Sequence, residues 1–272
     1  MHRYLAVRPP VAPAGLRLFC FHHAGAGAMT YAGWKQRTGP AVSVLPVRLP
    51  GRESRLREPR ITDGDQLLGE LTADLAPLLE EDVPFAFYGH SLGALVAYRF
   101  AEHLQSRGRR SPAVLLVGAA PAPQLASAVL DGHRALRPEL PDGQLLAALG
   151  DEEAMPAALR DRPDRLALVL ATLRDDLRLA RSLRTGPVVP LSCPVEAFAG
   201  TADRLVRAEE VRAWAQCTSA AFRFWSVPGT HQFVRGTDLP HLLTRSLARA
   251  CAAQPADTAN GVRPTGPAGP AR

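Results

Sequence analysis

The chain reads as an α/β protein: a mostly parallel, doubly wound sheet with an all-helical segment inserted between its later strands. Three observations predict this. Short apolar runs closed by glycine or proline recur along the chain. The stretches between them repeat leucine at helical spacing. From about 121 to 190 the alternation stops, and only helical patterns remain. Apolar strands alternating with amphipathic helices bury a parallel sheet on both faces. In such sheets ligands bind outside the carboxyl ends of the strands.

The elements follow in order. "LRLFCFHHAG" (16–25) is a strand buried on both faces, and "AVSVLPVRLPG" (41–51) a second, ended by Pro50-Gly51. Between them, "MTYAGWKQR" forms a short helix. "DQLLGELTADLAPLLEE" is a helix with Asp65 placed to cap it. "PFAFYGHS" is the third strand, and "LGALVAYRFAEHLQSRG" a helix stopped by Gly108. "PAVLLVGAAP", "CPVEAFAGTAD" and "AFRFWSVPGTH" are the fourth to sixth strands, and "TDLPHLLTRSLARACAA" is the closing helix. Within the insertion, helices are expected at "DGQLLAALG", "EEAMPAALRD" and "PDRLALVLATLRDDLRLARSL". In the last, Leu166, Val169, Leu170, Leu173, Leu177 and Ala180 share one face. The insertion's length suits a lid over the carboxyl edge of the sheet. One domain is expected over 1–253, with a disordered Pro/Gly/Ala-rich tail over 254–272.

Composition excludes several classes. No run of about 18 apolar residues exists to span a membrane, and the N-terminus lacks a secretory core. The expected compartment is the cytoplasm. Cys20, Cys193, Cys217 and Cys251 have neither metal nor disulfide-framework spacing, and read as buried free thiols. The formal charge is +6, carried by arginine, with Lys35 the only lysine. No arginine tract is interleaved with aromatics, which argues against nucleic acid. A basic surface suits an acidic protein or an anionic substrate.

The chemistry sits at "YGHSLG" (88–93). Gly-x-Ser-x-Gly between a strand and a helix is a nucleophile elbow, in which Gly89 and Gly93 relieve crowding and Ser91 is lifted to the sheet edge. The helix that follows offers free N–H groups to an oxyanion. A serine hydroxyl needs a base to become a good nucleophile. The α/β-hydrolase order of Ser, acid, His is met by Asp203 in "AFAGTADRLV" and His231 in "SVPGTHQFV", each just beyond a strand. Glu196 and Glu209 are weaker acids, one within a strand and the other opening a helix. The oxyanion donors are the N–H of Leu92 and one from "FHHAGAGA" (21–28), with Ala24 chosen and Gly25 the alternative. His22 and His23 precede the serine, the wrong order for the base, and read as loop or pocket lining.

"FHHAGAGA", "LPGRESRLREPR" (49–60), "FYGHSLGALVAYRFA", "PLSCPVEAFAGTADRLV" and "PGTHQF" occur in that order. Together, across about 16–250, they resemble the type II thioesterases of polyketide and non-ribosomal peptide biosynthesis. The resemblance implies an α/β-hydrolase fold with a helical lid. It implies an enzyme that clears aberrant acyl groups from the phosphopantetheine arm of acyl or peptidyl carrier proteins. Ser91, Asp203 and His231 fall on the family's triad, and Ala24 and Leu92 on its oxyanion donors. It implies no metal and no other cofactor, carrier-protein partners, and a monomer. Three positions depart from the family's habit: His22 stands for a proline, Leu92 for a methionine, and Gln232 for an aromatic. Arg52 and Arg55 read either as docking cations or as structural ion-pair partners. The rival readings are an oxygen-ester hydrolase of the same fold and a non-catalytic hydrolase-fold binding protein. A terminal thioesterase fused to a synthase is disfavoured, because no carrier domain is expected ahead of the hydrolase.

Overall fold

The computed structural model describes residues 2–10, 15–125, 138–149 and 162–253. Six strands, β1 (Leu16–Phe21), β2 (Val42–Pro46), β3 (Phe85–His90), β4 (Leu115–Gly118), β5 (Val195–Gly200) and β6 (Phe222–Val227), form one sheet. Their order is β2-β1-β3-β4-β5-β6, and every pairing is parallel. The carboxyl ends of all six therefore open on the same edge. The α/β sheet is as the apolar runs predict, but β2 ends at Pro46, ahead of the expected stop at Pro50-Gly51.

The continuous apolar runs follow from burial on both faces. Phe19 and Phe21 of β1 and Phe85 and Phe87 of β3 point into one core, with edge-to-face ring pairs between them. Leu18, Cys20, Ala86 and Tyr88, alternating with them, point into the other. The first core is closed by helices α2 (Gly64–Glu80) and α3 (Leu92–Ser106). The second is closed by α1 (Trp34–Thr38) and the C-terminal helix Asp238–Ala253, through Trp34, Leu239, Leu243 and Leu247.

Two local expectations are corrected. The stretch 29–37 is two pieces, a 3-10 turn at Ala28–Tyr31 and α1, because Gly33 between them sits at φ 79°. The α2 cap is Asp63, whose side chain accepts the Gln66 N–H at 2.8 Å; Asp65 lies inside the first turn. Both places suit an acid, so the sequence alone did not separate them. The α3 terminus is as expected: Gly108 (φ 63°) and Arg109 return their N–H groups to Gln105 and Leu104.

Between β4 and β5 the described residues hold helices and no strand: α4 (Asp142–Leu149) and α5 (Pro163–Leu183). The helix expected at 152–161, the tail 254–272 and parts of the expected lid lie outside the described residues. Leu170, Leu173, Leu177 and Ala180 of α5 are buried, and Leu166 packs beside them, on the face its leucine spacing predicts. That face rests on α2 and α3. All four cysteines are free; three are buried and Cys251 is half-buried. No helix among the described residues is long and apolar enough to cross a membrane.

Candidate active site

The site begins with the turn from β3 into α3. Ser91 holds φ 54° and ψ −115°, a conformation side-chain-bearing residues rarely adopt. Its N–H donates to the Gly118 carbonyl at 2.8 Å, tying the turn to β4. A Cβ on Gly89 would lie 2.1 Å from the Gly93 carbonyl oxygen, and one on Gly93 would lie 1.9 Å from that of Phe21. Both positions demand glycine, and the same crowding presses the elbow against the end of β1. Leu92 opens the 15-residue α3, so its N–H lies at the electropositive end of that helix.

Beyond β5 and β6 the chain builds an acid–base pair. The Thr201 and Ala202 N–H groups donate to the carbonyls of Val227 and Gly229, each at 2.9 Å. Gly200 permits this seam, since a Cβ there would sit 2.8 Å from the carbonyl oxygens of Gly229 and Thr230. Asp203 Oδ2 accepts from His231 Nδ1 at 2.9 Å, while Oδ1 accepts the N–H groups of Leu205 and Val206 at 2.8 and 3.0 Å. Burial pushes the Asp203 carboxyl upward. The His231 bond and charge and the two backbone donors outweigh it and hold the group below its ordinary value. A carboxylate at that place favours the tautomer with the proton on His231 Nδ1, which makes Nε2 the acceptor nitrogen. The imidazole remains partly exposed, its side chain at 14%, and the carboxylate is sealed at 1%.

His90, beside the serine, tethers the histidine loop. Its Nε2 donates to the His231 carbonyl at 2.7 Å, so Nδ1 is free to accept from the Tyr88 hydroxyl at 3.0 Å. Both bonds suit the neutral ring. Burial, and then the charges of His231 and His23, push its pKa well down, in agreement. The rings of His23, His90 and His231 form a chain, with centroids 5.8 and 5.7 Å apart. Ser91 thus lies one residue from the ring that carries the His231 loop. Among the described residues the serine hydroxyl and the His231 ring are not hydrogen-bonded to one another. Such bonds are often long before substrate arrives.

Ala24 lies in the loop after β1, half-buried, between His23 and Gly25. His22 and His23 are buried; His22 Nδ1 donates to the His23 carbonyl at 2.9 Å. Burial, with the nearby Arg52 charge, lowers the His22 pKa to about 3. It is a buried, neutral residue of the loop after β1. Glu196 is a structural acid bound by Trp225, Ser246 and Arg249, and Glu209 lies in the short helix α6 (Ala208–Arg212).

The sequence left one charged group unread. Asp176, inside the apolar face of α5, is 1% exposed and pairs with Arg52 at 2.7 and 2.9 Å. The available signal was an acid three residues after Leu173 and four before Ala180, on the same helical stripe. Arg52 is an internal ion-pair partner, as is Arg55, which binds Glu58.

Residues 16–250 match the family described as "Thioesterase domain". Gramicidin S biosynthesis protein GrsT of Aneurinibacillus migulanus is 32% identical over 221 residues, covering 81% of this chain and 84% of that protein. The thioesterase RedJ from the prodiginine pathway of Streptomyces coelicolor superposes with a TM-score of 0.78 at 34% identity, covering 90% of this chain and 94% of RedJ. The type II thioesterase BorB of the borrelidin cluster superposes at 0.75 with 28% identity, over 91% and 97%. The fold, the match along most of the chain and these relatives agree: this chain belongs to the thioesterase family and is a thioester hydrolase.

Proposed function

We propose that the chain is a stand-alone, type II thioesterase that clears acyl groups from the phosphopantetheine arm of acyl or peptidyl carrier proteins. Ser91, His231 and Asp203 are its triad. The observation that carries the reading is the 2.9 Å Asp203–His231 bond, held at the same sheet edge as a serine on a strained elbow. The carrier-protein substrate is supported by relatives that belong, by name, to gramicidin S, prodiginine and borrelidin biosynthesis. The net charge of +6 suits an acidic partner.

The chemistry needs no metal or redox group. Ser91 Oγ attacks the thioester carbonyl while His231 Nε2 takes its proton. Asp203 stabilises the imidazolium through Nδ1 and remains ionised itself. The tetrahedral oxyanion is received by the Ala24 and Leu92 N–H groups, the second aided by the α3 dipole. The C–S bond breaks, and the thiol leaves with the proton from His231. Water, deprotonated by the same ring, then attacks the acyl-serine; the acyl–Oγ bond breaks, His231 returns the proton to Ser91 Oγ, and the carboxylate product departs. The first-order test is Ser91→Ala. Hydrolysis of acyl-carrier thioester and labelling by a fluorophosphonate probe should both disappear. Turnover retained in the variant, or wild-type enzyme that cleaves simple oxygen esters while sparing acyl-carrier thioesters, would overturn the reading.

A further inference from the structure

The segment "GRE" (51–53) and helix α5 together grip the loop that carries Ala24. Arg52 Nη1 donates to the Ala26 carbonyl at 2.8 Å and to Asp176 Oδ2 at 2.9 Å, and Nη2 donates to Asp176 Oδ1 at 2.7 Å. The same Asp176 Oδ2 accepts the Gly25 N–H at 2.8 Å. Glu53 Oε1 takes the Met29 N–H at 2.9 Å, and a Cβ on Gly27 would meet that oxygen at 2.4 Å. Leu173, one turn before Asp176, lies 3.7 Å from where a Gly25 Cβ would be.

Ala24 is the residue just before Gly25. The Ala24 N–H lies in the His23–Ala24 peptide plane, which is joined through the Ala24 dihedrals to the Ala24–Gly25 plane, and that second plane is held by Asp176. On the other side, His23 is wedged against the His90 ring. A bidentate guanidinium–carboxylate pair fixes angle as well as distance, which suits the task of aiming an amide at a developing oxyanion.

We infer that Arg52 and Asp176 are positioning residues for the oxyanion hole, and that the inserted helix α5 sets the aim of the Ala24 amide through them. The inference rests on the proposed Ser91 mechanism. It makes α5 a fixed wall of the active site, because its C-terminal half is also pinned by Arg60 to Asp175, by the Gly64 N–H to Ser182 and by Arg99 to the Leu183 carbonyl.

The test separates positioning from folding. Breaking one side of a buried pair strands a charge, but replacing both partners by apolar residues of similar size is often neutral or stabilising. Arg52→Met/Asp176→Leu should therefore melt near the wild-type temperature, while its kcat on acyl-carrier thioester falls roughly tenfold to a hundredfold with KM little changed. That split marks an interaction felt only in the transition state. Asp176→Asn, nearly isosteric, retains an acceptor and should show a smaller kcat loss in the same direction. Wild-type kcat in the double variant, or a rise in KM with kcat intact, would overturn the inference. If the double variant does not fold, Asp176→Asn decides alone: unchanged kcat refutes. Ser91→Ala is run beside them. Activity surviving there sinks the mechanism itself, whereas an inactive Ser91→Ala with fully active pair variants sinks only the positioning role.

Discussion

Ser91 sits at φ 54° because its neighbours leave it nowhere else to go. With the Gly89 and Gly93 Cβ sites occupied by backbone at about contact-forbidden distances, the turn can close only on glycine. Gly93→Ala should therefore destabilise the fold by at least several kcal/mol or prevent soluble expression, and a variant melting near wild type would show that the elbow can relax. Asp203→Asn tests the other half of the site. An amide cannot hold the same His231 tautomer, so kcat should fall by about 10⁴ with the fold retained; steady-state kinetics on a carrier thioester would show it, and a loss under tenfold would point to another acid. The residues of the proposed triad stand out in the sequence because an elbow has a local pattern, and because Asp203 and His231 each follow an apolar strand. Asp176 was not, since an acid within a leucine stripe reads as a surface charge until the partner 124 residues away is known.

Elements fared differently from residues for a physical reason. Continuous apolar runs identify strands buried on both faces, so β1, β3, β4 and β5 were visible, and the parallel order followed from the helices between them. Boundaries were less visible. At the start of α2 two aspartates compete, and only the geometry shows Asp63 at φ −101°, ψ 127° with its carboxylate on the Gln66 N–H. Asp63→Ala should cost about 1 kcal/mol, and Asp65→Ala under half of that, in chemical denaturation; equal losses would mean the cap is shared. Helix α5 shows the limit of pattern reading. Its leucine spacing marks the buried face, yet its anchoring to the 51–60 segment is made by two aspartates, Asp175 and Asp176, that reach Arg60 and Arg52 far away in sequence.

At the scale of the whole molecule, three buried histidines lie at the carboxyl ends of β1 and β3, and together they make stability depend on pH. His22, His23 and His90 all have pKa values lowered first by burial; Arg52 adds to this at His22, His22, Arg235 and His231 at His23, and His231 and His23 at His90. An unfolded histidine titrates near 6.5. Between the folded and unfolded values the unfolded chain binds more protons, so stability rises with pH across that window and is lost as pH falls below about 6.5. The Asp203 carboxyl, held low, contributes in the opposite part of the scale: its stabilisation is present above the ordinary carboxylate value and disappears only in stronger acid. The melting temperature should therefore drop steadily from about pH 7 to pH 5, before any carboxylate is involved. For His22, with a folded value of about 3, the loss over that interval is on the order of 2 kcal/mol. His22→Asn cannot take up that proton, so its stability should fall by roughly 2 kcal/mol less than wild type between the same two pH values. Parallel pH profiles for the two proteins would mean that His22 is already protonated, or not buried, in solution.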